Sequence, residues 1–355
     1  MSNRALFTQT SLIYLLLWTA LCTLGSGFPG RCAQSVPQPE ILQRSKVVVV
    51  KDSQAIEAYK TRPERIQAML DRGMTNITSR PTPAEAWRSL LSTNDVVGIK
   101  VFSLPGPNSG TRPAVVAALV EQLLAAGLPA TNIVVWDRQT VDLRLAGYYE
   151  LVRNYGIRVA GSMQSGFDTT NVYENPLLGN LVWGDYEFGS KGEGVGRKSY
   201  VSKLVSQQLT KIINVSPLLN HTLAGVSGNL YGLANGSIDN IARFETDAER
   251  MSRTLPEIYA LPSLSDRVVM NIVDALICQY EGGERGLLHY STVINEIRIS
   301  KDPIALDVLS IQELDRQRQM SGTAKPKSSL ELYDIAALLE LGVSDPKRID
   351  VETLR

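Results

Sequence analysis

Short apolar runs that alternate with helical segments are the feature that most constrains the fold of this chain. Residues 46–51 contain four consecutive valines, which is typical of a strand buried on both faces. Similar runs occur at 95–102, 133–136 and 210–215. The order strand–helix–strand–helix favours parallel pairing through right-handed crossovers. The sequence therefore predicts an α/β fold with a predominantly parallel central sheet, open to mixed pairing, and with helices on both faces.

The clearest helix is predicted at 112–126, where apolar residues recur at i, i+3, i+4, i+7 and i+8. These residues are Val116, Leu119, Val120, Leu123 and Leu124. Gly127 is expected to end this helix. Further helices are predicted at 63–73, 83–91, 141–154, 247–255, 303–318 and 330–341, and further strands within 268–280, at 296–300 and at 349–351.

Residues 161–198 are predicted to form a long irregular insertion, because they are rich in Gly, Ser, Asn and aromatic residues and show no helical periodicity. Short hairpins are predicted around 180–188. The Gly-rich part, 189–198, contains Gly192, Gly194 and Gly196 beside three cations. It is open whether this part binds an anion through backbone N–H groups or is a flexible turn.

The domain predicted from these patterns spans 46–320. Residues 321–355 are expected to supply a linker, a C-terminal helix and a closing strand that pack on the same domain. A split into two domains near the long insertion is the alternative.

The N-terminal residues have the order of a secretory signal peptide. Arg4 precedes an apolar run at 11–24, and small residues follow at 25–27 and at Ala33. The run is shorter than the roughly 20 residues that a bilayer span needs. We expect a signal peptide at 1–33, a linker at 34–45, and a periplasmic or extracellular protein without an integral membrane span after processing. An uncleaved N-terminal membrane anchor is the alternative.

Composition argues against several classes of partner and cofactor. The 36 Lys and Arg residues balance 36 Asp and Glu residues, so no basic excess is available to neutralise nucleic-acid phosphates. Cleavage after Ala33 would leave Cys278 as the sole cysteine, beside His221 and His289. These counts argue against a four-thiolate iron–sulfur cluster and a zinc site. We expect no nucleic-acid partner, no metal and no cofactor.

Polar residues follow two of the predicted parallel strands. Lys100 lies in the apolar run 95–102, and Asp137 and Arg138 follow 133–136. Ligands of open parallel sheets bind beyond the carboxyl ends of strands. Lys100 is either a buried amine that contacts an anionic ligand or a strand-end lysine that reaches water. Asp137 is either a site carboxylate or a helix cap that pairs with Arg138.

A second polar stretch follows the strand at 210–215. Asn220, His221 and Thr222 are followed by a Gly-containing run with Ser227 and Asn229. A histidine can transfer protons near neutral pH, whereas a lone histidine is often structural. The density of small polar residues favours a ligand-binding loop. No Gly-x-Ser-x-Gly elbow occurs in the sequence, so a serine hydrolase is not supported.

Several of these motifs occur in an order that resembles one known family. They include Val97-Gly98-Ile99-Lys100, Arg112-Pro113, Trp136-Asp137-Arg138, Ile213-Asn214-Val215, His221, Ala224-Gly225-Val226-Ser227-Gly228, Gly236-Ser237-Ile238-Asp239-Asn240, Asp274, Glu281-Gly282-Gly283 and Asp302-Pro303-Ile304. Over about residues 46–351 the chain resembles the domain of unknown function 362 family. That family has no assigned general activity, and some members carry ferredoxin-like modules for which this chain lacks the cysteines.

The resemblance and the residue patterns together define the candidate site, in which Lys100, Asp137, Arg138 and His221 are expected to converge at the carboxyl ends of parallel strands. The catalytic candidates are Lys100, Asp137 and His221. The ligand-binding candidates are Arg138, Asn220, Thr222, Ser227, Asn229 and Asn240.

The chain departs from the family pattern at three polar positions. Phe102 and Leu219 stand where members often have Asn and Lys, and Tyr231-Gly232 stands where members often have Lys-Asn. Two readings of function stay open. One is an exported protein that acts on or binds a small anionic molecule; the other is a non-catalytic binding or scaffold protein of the cell envelope. The sequence identifies neither a substrate nor a protein partner.

Overall fold

The computed structural model describes residues 44–283, 285–324 and 330–355. The predicted signal peptide at 1–33 and most of the predicted linker at 34–45 lie outside the described residues, so export stays a prediction. Within the described ranges, no helix is both long enough and apolar enough to cross a membrane.

The described chain alternates strands and helices. The strands are β1 (Ser45–Lys51), β2 (Ile56–Glu57), β3 (Lys60–Thr61), β4 (Val97–Lys100), β5 (Ile133–Asp137), β6 (Arg158–Gly161), β7 (Phe167–Glu174), β8 (Lys198–Ser202), β9 (Lys211–His221), β10 (Gly225–Val226), β11 (Val268–Gln279), β12 (Ser291–Ser300) and β13 (Ile349–Leu354). The helices are α1 (Pro63–Thr78), α2 (Pro83–Arg88), α3 (Pro113–Ala125), α4 (Thr140–Leu145), α5 (Tyr149–Tyr155), α6 (Ser162–Ser165), α7 (Asn229–Ser237), α8 (Ala248–Tyr259), α9 (Pro303–Ser321) and α10 (Glu331–Leu338).

In the described chain, nine strands form the central sheet, in the order β13-β1-β12-β11-β9-β4-β5-β6, with β10 paired to β9. Strands β11, β9, β4, β5 and β6 are parallel, as the sequence predicts. Strand β12 alone among the sheet's long strands runs the other way, between β1 and β11. An antiparallel pair needs only a short connection, which the chain from 280 to 290 supplies between β11 and β12.

Apolar residues pack on both faces of this sheet. Val48 and Val50 of β1 join the core beneath α1, α2, α3, α4 and α5, whereas Val47 and Val49 join the core beneath α7, α8, α9 and α10. This alternation follows from the two-residue period of a strand. Helices on both faces are therefore confirmed.

Three local predictions differ from the structure. The helix predicted at 141–154 is broken into α4 and α5 at Gly147, which has a φ of 92°. The hairpins predicted around 180–188 are wrong, because this segment contains turns and no strand, and the paired strands β7 and β8 lie outside it. Helix α7 was not predicted: the carboxylate that accepts its first N–H groups belongs to Asp307, which has no local signature in the sequence.

Candidate functional site

Lys100 and Asp137 form a buried ion pair at the carboxyl ends of β4 and β5. Nζ of Lys100 donates to Oδ1 of Asp137 at 2.8 Å and to the Val101 carbonyl at 2.6 Å. Adjacent parallel strands place these residues together, since Lys100 is registered opposite Trp136, the neighbour of Asp137. Burial lowers the pKa of the Lys100 amine, and the charge of Asp137 opposes that shift.

The surroundings of this pair leave no room for a ligand at either charged group. The second oxygen of Asp137 accepts from the backbone N–H and the hydroxyl of Ser103, at 2.7 and 2.6 Å. A Cβ atom on Gly236 would lie 1.9 Å from Cε of Lys100, so α7 closes over the lysine stem. Lys100 is 1% exposed. The pair is a satisfied polar plug at the end of the sheet.

Arg138 points away from this plug toward the turn that follows α7. Its guanidinium donates to the carbonyl groups of Ile238 and Asp239. The Asp239 carboxylate accepts backbone N–H groups from Tyr186 and Tyr200, and burial raises its pKa to about 6. Arg138 therefore helps to hold the long insertion against the domain.

Asn240, the residue after Asp239, also contacts the long insertion. Its amide donates to the Lys198 carbonyl at 2.8 Å, at the end of the Gly-rich segment. In that segment the N–H of Gly196 already donates to Glu187, and its carbonyl accepts from Arg243. Asn240 thus contacts the insertion and lies on a different element from the ion pair.

His221 lies at the end of β9, which continues well beyond its neighbour β4. Lys100 is registered opposite Asn214, so His221 is seven residues farther along the strand. The sequence predicted a strand that ends at 215, because Pro217 and the polar residues after it resemble a loop. Strand β10 instead pairs back onto β9 and extends it, with His221 opposite Gly225.

The ring of His221 stabilises the turn between β9 and β10. Its Nδ1 accepts the backbone N–H groups of Leu223 and Ala224, at 3.2 and 3.0 Å. Because both partners donate, the ring proton belongs on Nε2. Burial lowers the pKa of His221 to about 4, so the ring is neutral at pH 7. At that pH His221 can donate a hydrogen bond, but it is a poor proton acceptor.

An open cleft of about 590 Å³ lies beside His221. Its lining residues are Leu104, His221, Thr222, Gly282, Gly283 and Arg285. Asn220 positions one wall, since its Oδ1 accepts the N–H of Gly283 at 3.1 Å. Arg285 is exposed and forms no ion pair with the described residues. Sequence reasoning missed Arg285, because an arginine in a connecting loop has no distinguishing local pattern.

Ser227 and Asn229 support α7 and do not line this cleft. The N–H and side-chain amide of Asn229 donate to Asp307, at 2.7 and 3.0 Å. Burial raises the pKa of Asp307 to about 7. Ser227 is fully buried, and its N–H donates to the Leu219 carbonyl at 2.8 Å.

The candidate residues therefore belong to four separate places, one of which is the start of α7 with Ser227 and Asn229. Lys100 and Asp137 form the plug, Arg138 and Asn240 hold the insertion, and Asn220, His221 and Thr222 lie at the cleft. No hydrogen bond among the described residues joins His221 to Lys100 or Asp137.

Aromatic rings connect the plug to the cleft. Nζ of Lys100 is 5.9 Å from the ring centroid of Phe102, whose ring is 6.1 Å from that of Tyr231. The Tyr231 ring is 4.2 Å from His221, and Leu219 belongs to the same apolar core. Two of the positions at which the chain departs from the family pattern, Phe102 and Tyr231, thus pack together between Lys100 and His221.

No curated protein shows significant similarity to the chain. A crystal structure of a Thermotoga maritima protein from the Northeast Structural Genomics Consortium is 13% identical, with a TM-score of 0.40 over 74% of this chain. The match covers 60% of that protein. In the described part of the chain, no three His, Cys, Asp or Glu side chains are grouped as a metal site. The family model named "Domain of unknown function (DUF362)" matches residues 97–312, and the chain belongs to this family.

Proposed function

We propose that this chain is an exported protein that binds a small anionic molecule in the cleft beside His221. The observation that carries the proposal is the fixed tautomer of His221, whose Nδ1 is used by the turn. Nε2–H is then the ring group left to donate to a ligand. Thr222 and Arg285 line the same cleft and add a hydroxyl and a positive charge.

The positive charge of Arg285, in the described lining of the cleft, favours an anion. The described lining residues include no carboxylate. The nearby Glu281 is paired with Arg318, at 3.4 Å between Oε2 and Nε. A guanidinium that forms no ion pair with the described residues can bind a carboxylate or phosphate through two parallel hydrogen bonds.

The packing around Lys100 supports binding without proton transfer by the catalytic candidates. The Lys100 amine already has two acceptors, and His221 has a pKa too low to accept a proton near pH 7. The rings of Phe102 and Tyr231 lie between them. These observations favour a non-catalytic binding protein of the cell envelope over an enzyme.

The test is a titration of the purified chain with inorganic phosphate and with acetate, followed by isothermal calorimetry. We expect Arg285→Gln to weaken binding of at least one of them about tenfold, the loss of one charge-assisted hydrogen bond. His221→Asn should weaken it as well, because Asn keeps an acceptor near the position of Nδ1 and removes the Nε2 donor.

Lys100→Met is the matched control, because it alters the plug and leaves the cleft residues unchanged. Its affinity should equal that of the wild type. Unchanged affinity in both Arg285→Gln and His221→Asn would show that the site is elsewhere. An anion that binds only the wild type and not Lys100→Met would place the ligand at the plug.

A further inference from the structure

The long insertion exposes a cluster of apolar side chains to solvent. Six large hydrophobic residues within 177–188 are each at least 44% exposed: Leu177, Leu178, Val182, Trp183, Tyr186 and Phe188. Trp183 is 82% exposed. Such a contiguous apolar surface is uncommon on a soluble domain and indicates an interaction site. We call residues 177–188 the apolar loop.

The charged groups of the apolar loop are turned toward the protein. Asp185 is buried, and one of its oxygens accepts the Val182 N–H at 2.8 Å. Both oxygens of Glu187 are used, by the Tyr200 hydroxyl and the Gly196 N–H. These are the loop's two ionisable carboxylates, and the loop contains no Lys or Arg. Its outer face therefore carries no charge and is mostly apolar.

Specific contacts hold the apolar loop in this orientation. The N–H of Tyr186 donates to Asp239 at 2.9 Å. A Cβ atom on Gly179 would lie 2.2 Å from Cβ of Arg243, so the backbone lies directly against that side chain. Because the backbone is fixed on its inner side, the six apolar side chains cannot turn inward without breaking these contacts.

We propose that the apolar loop inserts into the interfacial layer of a lipid bilayer. Trp and Tyr prefer this layer, because their rings are apolar and their N–H and O–H groups can still reach water and headgroups. The first charged residue after the loop, Lys191, is exposed and can attract anionic headgroups. This inference is independent of the anion-binding cleft.

The backbone of the insertion favours lipid over a peptide partner. Residues 175–197 form turns and bends without a strand or helix. They therefore offer no strand edge to which an extended peptide could add. A fluid bilayer requires no such edge, because apolar side chains enter it without a complementary rigid surface.

Trp183 itself can report the insertion. Of the four tryptophans, Trp87 and Trp136 are fully buried, so Trp18→Phe leaves Trp183 as the exposed indole. The full chain with Trp18→Phe is mixed with phosphatidylcholine vesicles, with or without phosphatidylglycerol, whose acyl chains carry bromine. Because residues 11–24 can themselves associate with lipid, the measurement is quenching of one indole and not total binding.

We expect Trp183 emission to move to shorter wavelength and to be quenched by bromine near the headgroups. The matched control is Trp18→Phe/Trp183→Phe/Leu338→Trp, because Leu338 on α10 is also 82% exposed. Its indole should show neither change. Adding Leu178→Ser and Phe188→Ser to the test chain should raise the lipid concentration needed for half-maximal quenching at least about tenfold.

Three results would overturn the proposal. Trp183 emission could stay unchanged while the chain cosediments with the vesicles. The Leu338→Trp indole could be quenched as strongly as Trp183. The wavelength shift could appear without vesicles as protein concentration rises, which would identify a second copy of the chain as the occupant.

Discussion

Removing the charge of Lys100 should destabilise the protein strongly, because Asp137 would remain buried without its cation. Lys100→Met keeps the stem volume and deletes two hydrogen bonds from Nζ. Breaking a buried ion pair costs about 3–5 kcal/mol. Asp137 still accepts hydrogen bonds from the Ser103 N–H, the Ser103 hydroxyl and the Arg138 N–H. We therefore expect a loss of stability at the lower end of this range, about 3 kcal/mol.

A double-mutant cycle separates the charge from the packing. Lys100→Met/Asp137→Asn leaves no buried charge, so it should cost about 2 kcal/mol less than the two single changes added together. The matched control is Lys46→Met. Lys46 also pairs with a carboxylate, Glu352, but both side chains are about half exposed, so the loss should stay below about 1 kcal/mol.

The assay is urea denaturation followed by far-ultraviolet circular dichroism, with the slope of the transition compared between variants. A cost below about 1 kcal/mol for Lys100→Met would refute the reasoning, because a buried, unpaired carboxylate cannot be that well tolerated. Such a result would mean that Lys100 is hydrated and available to a ligand.

Three further predictions concern His221, two glycines of α7 and the N-terminus. Because the pKa of His221 falls from 6.5 to about 4 on folding, its contribution of about 3 kcal/mol should be complete above pH 6.5 and be lost as the pH falls toward 4. The test is to measure the free energy of unfolding against pH for the wild type and for His221→Asn and to subtract one curve from the other. Identical curves would contradict the prediction. Gly236→Ala should destabilise the protein by about 1–3 kcal/mol, because its new methyl group would contact Lys100. Gly232→Ala should be neutral or stabilising in thermal melts, because no atom lies within 4 Å of a Cβ at that position. Equal effects of the two changes would contradict this packing. N-terminal sequencing of protein from the native envelope should show that residues 1–33 have been removed, and recovery of the intact terminus would contradict cleavage of a signal peptide.

The site could be predicted from the sequence only in part. Lys100 and Asp137 were expected to meet, because each ends or directly follows an apolar run, and adjacent parallel strands end at one edge. The expectation that His221 would join them depended on a strand that ends at 215. The six extra residues of β9, stabilised by its pairing with β10, place His221 at a separate cleft.

The sequence by itself determined the α/β class, the parallel strands and the helices on both faces. Apolar runs and helical periodicity are local patterns that report burial directly. The tertiary structure alone decided which polar groups neutralise one another, that Arg285 lies beside His221, and that the rings of Phe102 and Tyr231 pack together. It also decided that α7 exists, since its N–H groups are bound by Asp307, 77 or 78 positions away. Contacts between residues so distant in sequence depend on how the elements pack, and no local pattern encodes that packing.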